Sequence, residues 1–286
     1  MITEAQYVEE CLRQGVRGHC HDGVWWREPF PFYAKPMFEF RELAPGSARP
    51  SFRKAPLGYS HHVPDPALGN RSLPYMILHE AELRGFGLES LSSKKRNQVR
   101  KGLKHCEVAL IQDVERHLEA IRGIYISQSM RHTEQHEIPK TPPSFYVDHA
   151  SQWRERELRY LTTCGRETWG AFIDGRLAGF IVSPQIEGVR IIEKAKCHTD
   201  FLSFNVNDAL YFTVLEAAGK DALCRKIVNP GLRGGRLARY KEQFLFKQET
   251  IPVYVSHPMI FNACQRLRAL AGRRHAGSTA APREAD

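Results

Sequence analysis

The chain has 286 residues, with 41 Lys plus Arg against 32 Asp plus Glu, so its formal net charge is +9. Its 42% hydrophobic and 26% charged residues are typical of a folded globular protein and exclude a collagen-like or low-complexity chain. No apolar run approaches the roughly 18 residues of a membrane helix. The first ten residues are acidic where a signal peptide is basic, and we therefore expect a cytoplasmic protein without membrane insertion.

The excess of positive charge favours an anionic partner, such as a phosphate-bearing carrier or a nucleic acid. The seven cysteines are scattered without a CxxC pair, which predicts reduced thiols and no disulfide framework. His132 and His136 stand one helical turn apart, but His132 is not followed by the glutamate of an HExxH site, and no second pair has zinc-finger spacing. We therefore predict no metal site.

Residues 13–80 are rich in aromatic residues, proline and glycine, which predicts short strands and turns. From Leu91 onward the elements become longer, so a boundary is predicted near residue 88. The next predicted elements are a helix at 92–105, a strand at 107–111 and a helix at 114–130. A meander of antiparallel strands is predicted at 157–164, 168–173, 177–183 and 189–198. The last ones are a helix at 205–218, a strand at 225–229, a helix at 235–244 and a strand at 250–255.

The order helix, strand, helix, meander, helix, strand, helix, strand resembles the GNAT acyltransferase fold over about residues 90–255. Two segments, KKRNQVRKGLK at 94–104 and LARYKEQFLF at 237–246, are most similar to FemAB-type members of that superfamily. The resemblance implies an α/β (α+β) domain at 89–256, with a mixed, mostly antiparallel sheet flanked by helices. It also implies that the strand-rich region 1–88 is a reduced companion half, followed at 257–286 by a C-terminal helix and a disordered tail.

In GNAT proteins that use coenzyme A, a glycine-rich turn after the meander holds the pyrophosphate at a helix start. The corresponding positions here are Leu202, Asn205 and Asn207, and none of them is glycine. This departure disfavours acetyl-CoA and favours the aminoacyl-tRNA that many FemAB-type enzymes use. Asn tolerates the left-handed conformation, so Asn205 and Asn207 stay candidate donor-binding residues, with an ordinary helix N-cap as the alternative.

Two further segments are candidates for binding the phosphates of a donor. Arg233 and Arg236 lie in the glycine-rich stretch NPGLRGGR at 229–236, which leads into a helix. Arg96 and Arg100 belong to a basic stripe on the helix predicted at 92–105. The alternatives are an ordinary connecting turn and a solvated helix face.

Three residues are candidates for the chemistry. In a GNAT-like domain the strand at 189–198 lies against the acyl group, and a free backbone N–H of that strand stabilises the oxyanion. Glu193 or His198 would take the proton of the amine. Lys241, at the place of the GNAT tyrosine, suits a phosphate or a developing oxyanion, and Tyr240 is interpreted as structural. The alternative for Glu193 is an ion pair with a neighbouring Arg or Lys.

The leading hypothesis is an N-acyltransferase that moves an acyl or aminoacyl group from an activated carrier to an amine by direct attack. No tightly bound cofactor is expected, and the donor is aminoacyl-tRNA or acyl-CoA. A second hypothesis is an acyl-CoA-dependent N-acetyltransferase that acts on a small amine or amino sugar. A third is a basic RNA-binding module without catalysis.

Overall fold

A computed structural model describes residues 1–134, 141–230 and 234–257, which form two β-sheets flanked by helices. The N-terminal elements are α1 (Glu4–Arg13), β1 (Gly18–His21), β2 (Val24–Phe30), β3 (Tyr33–Pro36), β4 (Ser60–His62), β5 (Arg71–His79) and α2 (Glu80–Arg84). They are followed by α3 (Ser93–His105), β6 (Glu107–Leu110), α4 (Leu118–Glu134), α5 (Pro143–Asp148) and α6 (Ala150–Leu161). The C-terminal elements are β7 (Arg166–Ile173), β8 (Arg176–Ile186), β9 (Val189–Ile191), β10 (Lys194–Cys197), α7 (Val206–Lys220), β11 (Lys226–Asn229), α8 (Gly234–Glu242) and β12 (Lys247–Val255).

The large sheet has the strand order β4-β12-β5-β11-β9-β8-β7-β6, and β10 pairs with β8 beside this path. Within the described ranges, every strand pair of this sheet is antiparallel except β9 with β11. A separate small sheet contains β1, β2 and β3. The expectation of a mixed, mostly antiparallel sheet with a smaller strand-rich N-terminal region is confirmed.

The N-terminal region also contributes to the large sheet. β5 pairs with β11 on one side and with β12 on the other, and β4 forms the outer edge next to β12. The sheet is therefore continuous across the boundary that the sequence predicts near residue 88. Residues 258–286, where a helix and a tail were expected, lie outside the described residues.

One predicted strand is wrong. The segment 157–164 was expected to begin the meander, but it contains the end of α6 and the turn that follows. The buried residues Trp153, Glu157 and Leu161 recur every four positions, which is the period of a helix face and not of a strand. The strands at 168–173 and 177–183 are confirmed as β7 and β8.

Both faces of the large sheet are covered. α7 packs on one face, where Ala209, Leu210 and Val214 are fully buried in the largest apolar cluster. α4 and α6 cover the other face around Leu118, Trp153 and Phe180. Such a two-sided core explains why β8 is buried along nearly its whole length. None of the described helices is long and apolar enough to cross a membrane.

Candidate active site

The parallel pair β9 and β11 separates at one end. Residues 189–191 pair with 226–228, and the amide of Ile192 donates to the carbonyl oxygen of Val228 at 2.9 Å. From Lys194 onward the chain continues as β10, which pairs with β8. Among the described residues, the other edge of β10 has no partner strand. The sheet therefore divides here, which leaves a free edge on the strand whose backbone N–H the resemblance assigns to the oxyanion.

The open edge of β10 carries main-chain donors. His198 donates its amide to the carbonyl of Ala178 at 2.9 Å, which fixes the register of β10 against β8. Because the hydrogen bonds of an antiparallel pair alternate along a strand, the amides of Ala195 and Cys197 point away from β8, towards the open edge. Two N–H groups thus lie where the sheet divides.

The strand is interrupted at Ile192 and Glu193, between β9 and β10. Ile192 packs in the apolar cluster around α7 together with Ala195 and Cys197. A regular alternation over 189–198 would have placed Ile192 on the opposite face from Cys197. The interruption shifts the alternation by one residue, as a β-bulge does, and turns the side chains of Lys194 and Lys196 towards α4 and α6.

Lys194 belongs to a network on that side of the sheet. Its ammonium contacts both carboxylate oxygens of Glu157, at 2.7 and 3.0 Å, and lies 3.6 Å from the centroid of the Tyr160 ring. The Tyr125 hydroxyl also donates to Glu157, at 2.9 Å. Burial lowers the pKa of Lys194, and Glu157, itself only 5% exposed, opposes that shift. The network fixes β10 to α6.

Glu193 takes part in a second ion pair. One of its oxygens accepts hydrogen bonds from the Tyr160 hydroxyl at 2.5 Å and from Nε of Arg166 at 2.9 Å. Burial lowers the pKa of Arg166 and the carboxylate of Glu193 raises it, with a net upward shift. Glu193 therefore holds Arg166 in place, which is the ion pair expected as the alternative to a catalytic base.

His198 lies at the other end of β10 and lines an open cavity of about 420 Å³. Ser127 and Arg131 of α4 line the same cavity, and the Ser127 hydroxyl accepts a hydrogen bond from the amide of Thr199 at 2.9 Å. At about 3.3 Å per residue, His198 lies roughly 16 Å along the chain from Glu193. The two candidate bases therefore belong to different ends of the strand.

Asn205 precedes the first turn of α7 in the left-handed conformation, with φ of 57°, and its side chain makes no cap hydrogen bond. Asn207 follows in that first turn, half-buried. Asp208, the third residue of α7, places its carboxylate at the same helix terminus. The ammonium of Lys95 contacts this carboxylate at 2.6 Å. The positive end of the helix dipole is therefore already next to a carboxylate.

α8 brings two polar side chains into the core. Lys241 is 2% exposed, and burial lowers its pKa to about 8. The Tyr240 hydroxyl is buried beside Asp208 and has no hydrogen-bond partner at normal distance among the described residues. The Tyr240 ring lies 4.6 Å from the Lys95 ammonium. Tyr240 thus packs in the core beside Asp208, and burial together with that carboxylate raises the pKa of its hydroxyl.

The remaining candidate cations are on the surface or outside the described residues. Arg96 and Arg100 are both next to Glu89, which accepts a hydrogen bond from Arg96. Arg236 is exposed in the first turn of α8, and Arg233 lies outside the described residues. No group of three metal-binding side chains occurs within residues 1–134, 141–230 and 234–257.

The sequence did not single out the two buried ion pairs that stabilise this region. Lys95 lies in the segment at 94–104, in which Arg96 and Arg100 were assigned to a basic stripe, and its partner Asp208 is 113 positions away. The signal in the sequence was the four-residue spacing of Lys95 and Val99, which places both on one face of the helix. Both are buried in the structure.

The sequence matches no protein-family model and no curated protein. The fold, however, has clear counterparts among solved structures. The C-terminal DUF2156 domain of a provisionally assigned lysylphosphatidylglycerol synthetase from Agrobacterium fabrum superposes with a TM-score of 0.60 at 12% identity, over 94% of this chain and 98% of that domain. FemX gives a TM-score of 0.54 at 10% identity, over 90% and 92% of the two chains. L-PGS from Bacillus licheniformis gives 0.52 at 13% identity, over 87% and 90%.

These superpositions cover nearly the whole of this chain, so the N-terminal region is part of the shared architecture and not an addition to it. At 10–13% identity they concern the fold. The chain therefore has a GNAT-like fold with structural similarity to FemX and to the L-PGS domains.

Proposed function

We propose that this protein transfers an aminoacyl or other acyl group from an activated carrier to an amine, without a covalent enzyme intermediate. The observation that carries the proposal is the divergence of β10 from β11, which leaves two main-chain amides of β10 at an open edge. In the reaction, the amine nitrogen attacks the carrier-bound carbonyl carbon. The bond to the carrier breaks as the tetrahedral oxyanion collapses, and the amine loses a proton.

The amides of Ala195 and Cys197 are suited to bind that oxyanion. Preorganised N–H donors aimed at a developing negative charge supply a large part of the rate in acyl transfer. Their orientation is set by the pairing of β10 with β8, so it needs no reorganisation during the reaction. Holding both reactants at one cleft contributes further by making the attack effectively unimolecular.

His198 is the better placed of the two candidate bases. Its side chain lines an open cavity where an amine has access, whereas both oxygens of Glu193 face Arg166. We assign the acceptor side of the reaction to this cavity, with Ser127 and Arg131 beside the acceptor. Glu193 then acts as a positioning residue that holds Arg166 at the start of β10.

Two features of the structure, and the name of one structural match, favour an aminoacyl donor over acyl-CoA. At the N-terminus of α7, where GNAT proteins bind the pyrophosphate, the buried carboxylate of Asp208 already lies next to the positive end of the helix dipole and is paired with Lys95. In addition, α3 crosses this terminus so closely that a Cβ at Gly102 would lie 2.6 Å from the Asn205 carbonyl oxygen. The name of the Agrobacterium fabrum match, lysylphosphatidylglycerol synthetase, also refers to an aminoacyl product. Arg236, exposed in the first turn of α8, is the candidate for meeting the donor phosphates, together with Arg233, which lies outside the described residues, whereas Lys241 is buried.

The test compares donors in a transfer assay. The purified chain is incubated with radiolabelled acetyl-CoA or with total tRNA charged with labelled amino acids, in the presence of ethanolamine, glucosamine and a lysine-containing dipeptide as amines. We expect label to move from the charged tRNA to an amine, and the product to be an alkali-stable amide. An alkali-labile ester would identify a hydroxyl acceptor instead.

The variant Ala195→Pro removes one of the two amides without removing a hydrogen bond to β8, and Ala195→Val keeps the amide. We expect Ala195→Pro to reduce transfer about 100-fold and Ala195→Val to retain most of it, with similar melting temperatures for both. Equal activity of the two variants contradicts the oxyanion role of β10.

Equal, salt-sensitive binding of charged and uncharged tRNA without any transfer supports the non-catalytic RNA-binding alternative.

A further inference from the structure

A basic cleft lies in the N-terminal region and shares no lining residue with the cavity at His198. It is formed by the end of α1, by β1, by the β2–β3 turn and by the segment around Arg53, and its volume is about 540 Å³. Its lining includes three exposed cations, Arg17, Arg53 and Lys54. Within the described part of the chain, none of the three forms an ion pair. Glu28 is the one carboxylate in the lining, so the cleft has a net positive charge.

His19, which also lines the cleft, has one ring nitrogen without a hydrogen-bond partner among the described residues. Nε2 of His19 accepts a hydrogen bond from the amide of Ser51 at 3.3 Å, so the neutral ring carries its proton on Nδ1. Burial lowers the pKa of His19, which keeps the ring neutral at pH 7. Nδ1 is buried and has no partner among the described residues. A buried donor without an acceptor costs free energy unless a ligand or water supplies one.

One exposed phenylalanine lines the cleft, and a second is the chain neighbour of a lining residue. Phe52 is 78% exposed and Phe32 is 55% exposed, which is unusual for side chains of this size. Phe32 lines the cleft, and Phe52 precedes Arg53 in the chain. Neither exposure is explained by packing within the described residues.

The backbone of Phe32 adds to this observation. Phe30 pairs with Tyr33, so Pro31 and Phe32 form a two-residue turn, and Phe32 has φ of 66°. A turn with proline first and a positive φ second normally has glycine in the second place. A bulky aromatic residue in the left-handed region is strained, and such strain is retained most often at binding sites.

We infer that this N-terminal cleft binds a single-stranded RNA segment, with Phe32 and Phe52 stacking on bases and Arg17, Arg53 and Lys54 contacting phosphates. Exposed aromatic rings interleaved with unpaired cations form the usual platform for single strands, because every base has a stacking face and every nucleotide a phosphate. Glu28 can accept a hydrogen bond from a 2′-hydroxyl or a base amino group. The inference goes beyond the transfer reaction, since it concerns binding at a different surface.

The test measures binding of a fluorescein-labelled ten-nucleotide oligocytidylate RNA by anisotropy, with the full chain. We expect the double variant Phe32→Gly/Phe52→Ala to weaken binding about tenfold. Phe32→Gly alone should raise the melting temperature, because glycine relieves the strained turn. Weaker binding by Phe32→Gly alone, together with its gain of stability, excludes unfolding as the cause. The matched apolar control is Leu68→Ala/Leu223→Ala, at exposed leucines elsewhere.

The charges are tested by the salt dependence of the same binding. Arg53→Ala/Lys54→Ala should reduce the slope of log affinity against log salt concentration by about 1.4, which is roughly 0.7 for each lost phosphate contact. The control Arg159→Ala/Lys220→Ala removes two exposed cations from α6 and α7 and should leave the slope unchanged.

Three results would overturn the inference. The first is an affinity that neither N-terminal variant changes. The second is that inorganic polyphosphate of equal charge displaces the RNA while the phenylalanine variants have no effect on binding. Such a result would mean that the cleft binds anions without recognising bases. The third is equal competition by a ten-residue polyglutamate, which would describe a surface for an acidic protein. Each result can be obtained whether or not the protein catalyses transfer, so a failure here leaves the proposed function intact.

Discussion

The ammonium of Lys95 lies 2.6 Å from a carboxylate oxygen of Asp208, and this contact joins α3 to the first turn of α7. Both side chains are more than nine-tenths buried, and the rings of Tyr240 and Phe244 lie within 5 Å of the same ammonium. Three helices that surround the divergence of the sheet therefore meet at one ion pair.

Lys95→Met should destabilise the protein by about 3–5 kcal/mol, because it leaves the Asp208 carboxylate buried without its cation. The double variant Lys95→Met/Asp208→Leu should recover most of this loss, since it removes both charges. Urea unfolding, monitored by tryptophan fluorescence, measures the free energy of unfolding of both variants relative to the parent. Equal stabilities of the single and the double variant would show that the pair is not coupled in the folded protein.

Lys241 should make the stability depend on pH in the alkaline range. Burial lowers its pKa from 10.5 to about 8, so between these two values the unfolded chain binds more protons than the folded one. The free energy of unfolding of the parent should therefore rise by about 3 kcal/mol relative to Lys241→Met between pH 7 and pH 11. Below pH 8 both states carry the proton and the difference stays constant.

This prediction is checked by urea unfolding of the parent and Lys241→Met at several pH values. Lys220→Met, on the exposed surface of α7, is the control for the loss of a lysine. If the free energies of unfolding of the parent and of Lys241→Met change in parallel from pH 7 to pH 11, Lys241 is solvated in solution.

The two candidate bases should respond differently to substitution. His198→Asn should lower turnover about 100-fold with little change in stability, because its side chain lines an open cavity. Glu193→Gln should lower stability by about 1–3 kcal/mol, because it weakens the hydrogen bonds that hold Arg166. Steady-state kinetics and thermal melts of both variants separate the two roles. A catalytic role for Glu193 is supported instead if its variant loses turnover at unchanged melting temperature.

Thiol labelling should report the burial of the core. Burial raises the pKa of Cys106 to about 11 and that of Cys197 to about 12, so these thiols should resist iodoacetamide in the folded protein. Cys20 and Cys164 are exposed and should be alkylated first. Peptide mapping of the alkylated protein, before and after unfolding in urea, measures the order in which the cysteines are alkylated. Early alkylation of Cys197 would show that the end of β10 opens in solution.

The order of the elements after residue 165 could be predicted from the sequence because each of them carries its own pattern. β7 and β8 are rich in apolar and β-branched residues and are joined by a turn at Asp174 and Gly175, both of which have positive φ. α6 was missed because the window that begins at Glu157 includes only the last turn of the helix. The start of its four-residue period lies at Trp153, before that window.

The candidate site could be predicted only in part. The divergence of β10 from β11 follows from the fold, and the resemblance implied it. The partners of individual side chains do not follow, because ion pairs such as Arg166 with Glu193 or Lys95 with Asp208 join distant positions. The interruption of the strand at Ile192 and Glu193 could not be predicted either, because no glycine or proline marks it. It changes which side chains lie on each face of the strand that carries the proposed chemistry.

The position of β5 has a consequence for how the protein is made. β5 lies between β11 and β12, so a strand completed before residue 80 finds both neighbours only after residue 225. On the ribosome, the nascent chain therefore carries an apolar strand with two unpaired edges during most of translation. We expect the large sheet to close late in folding, only after β11 and β12 have both been made.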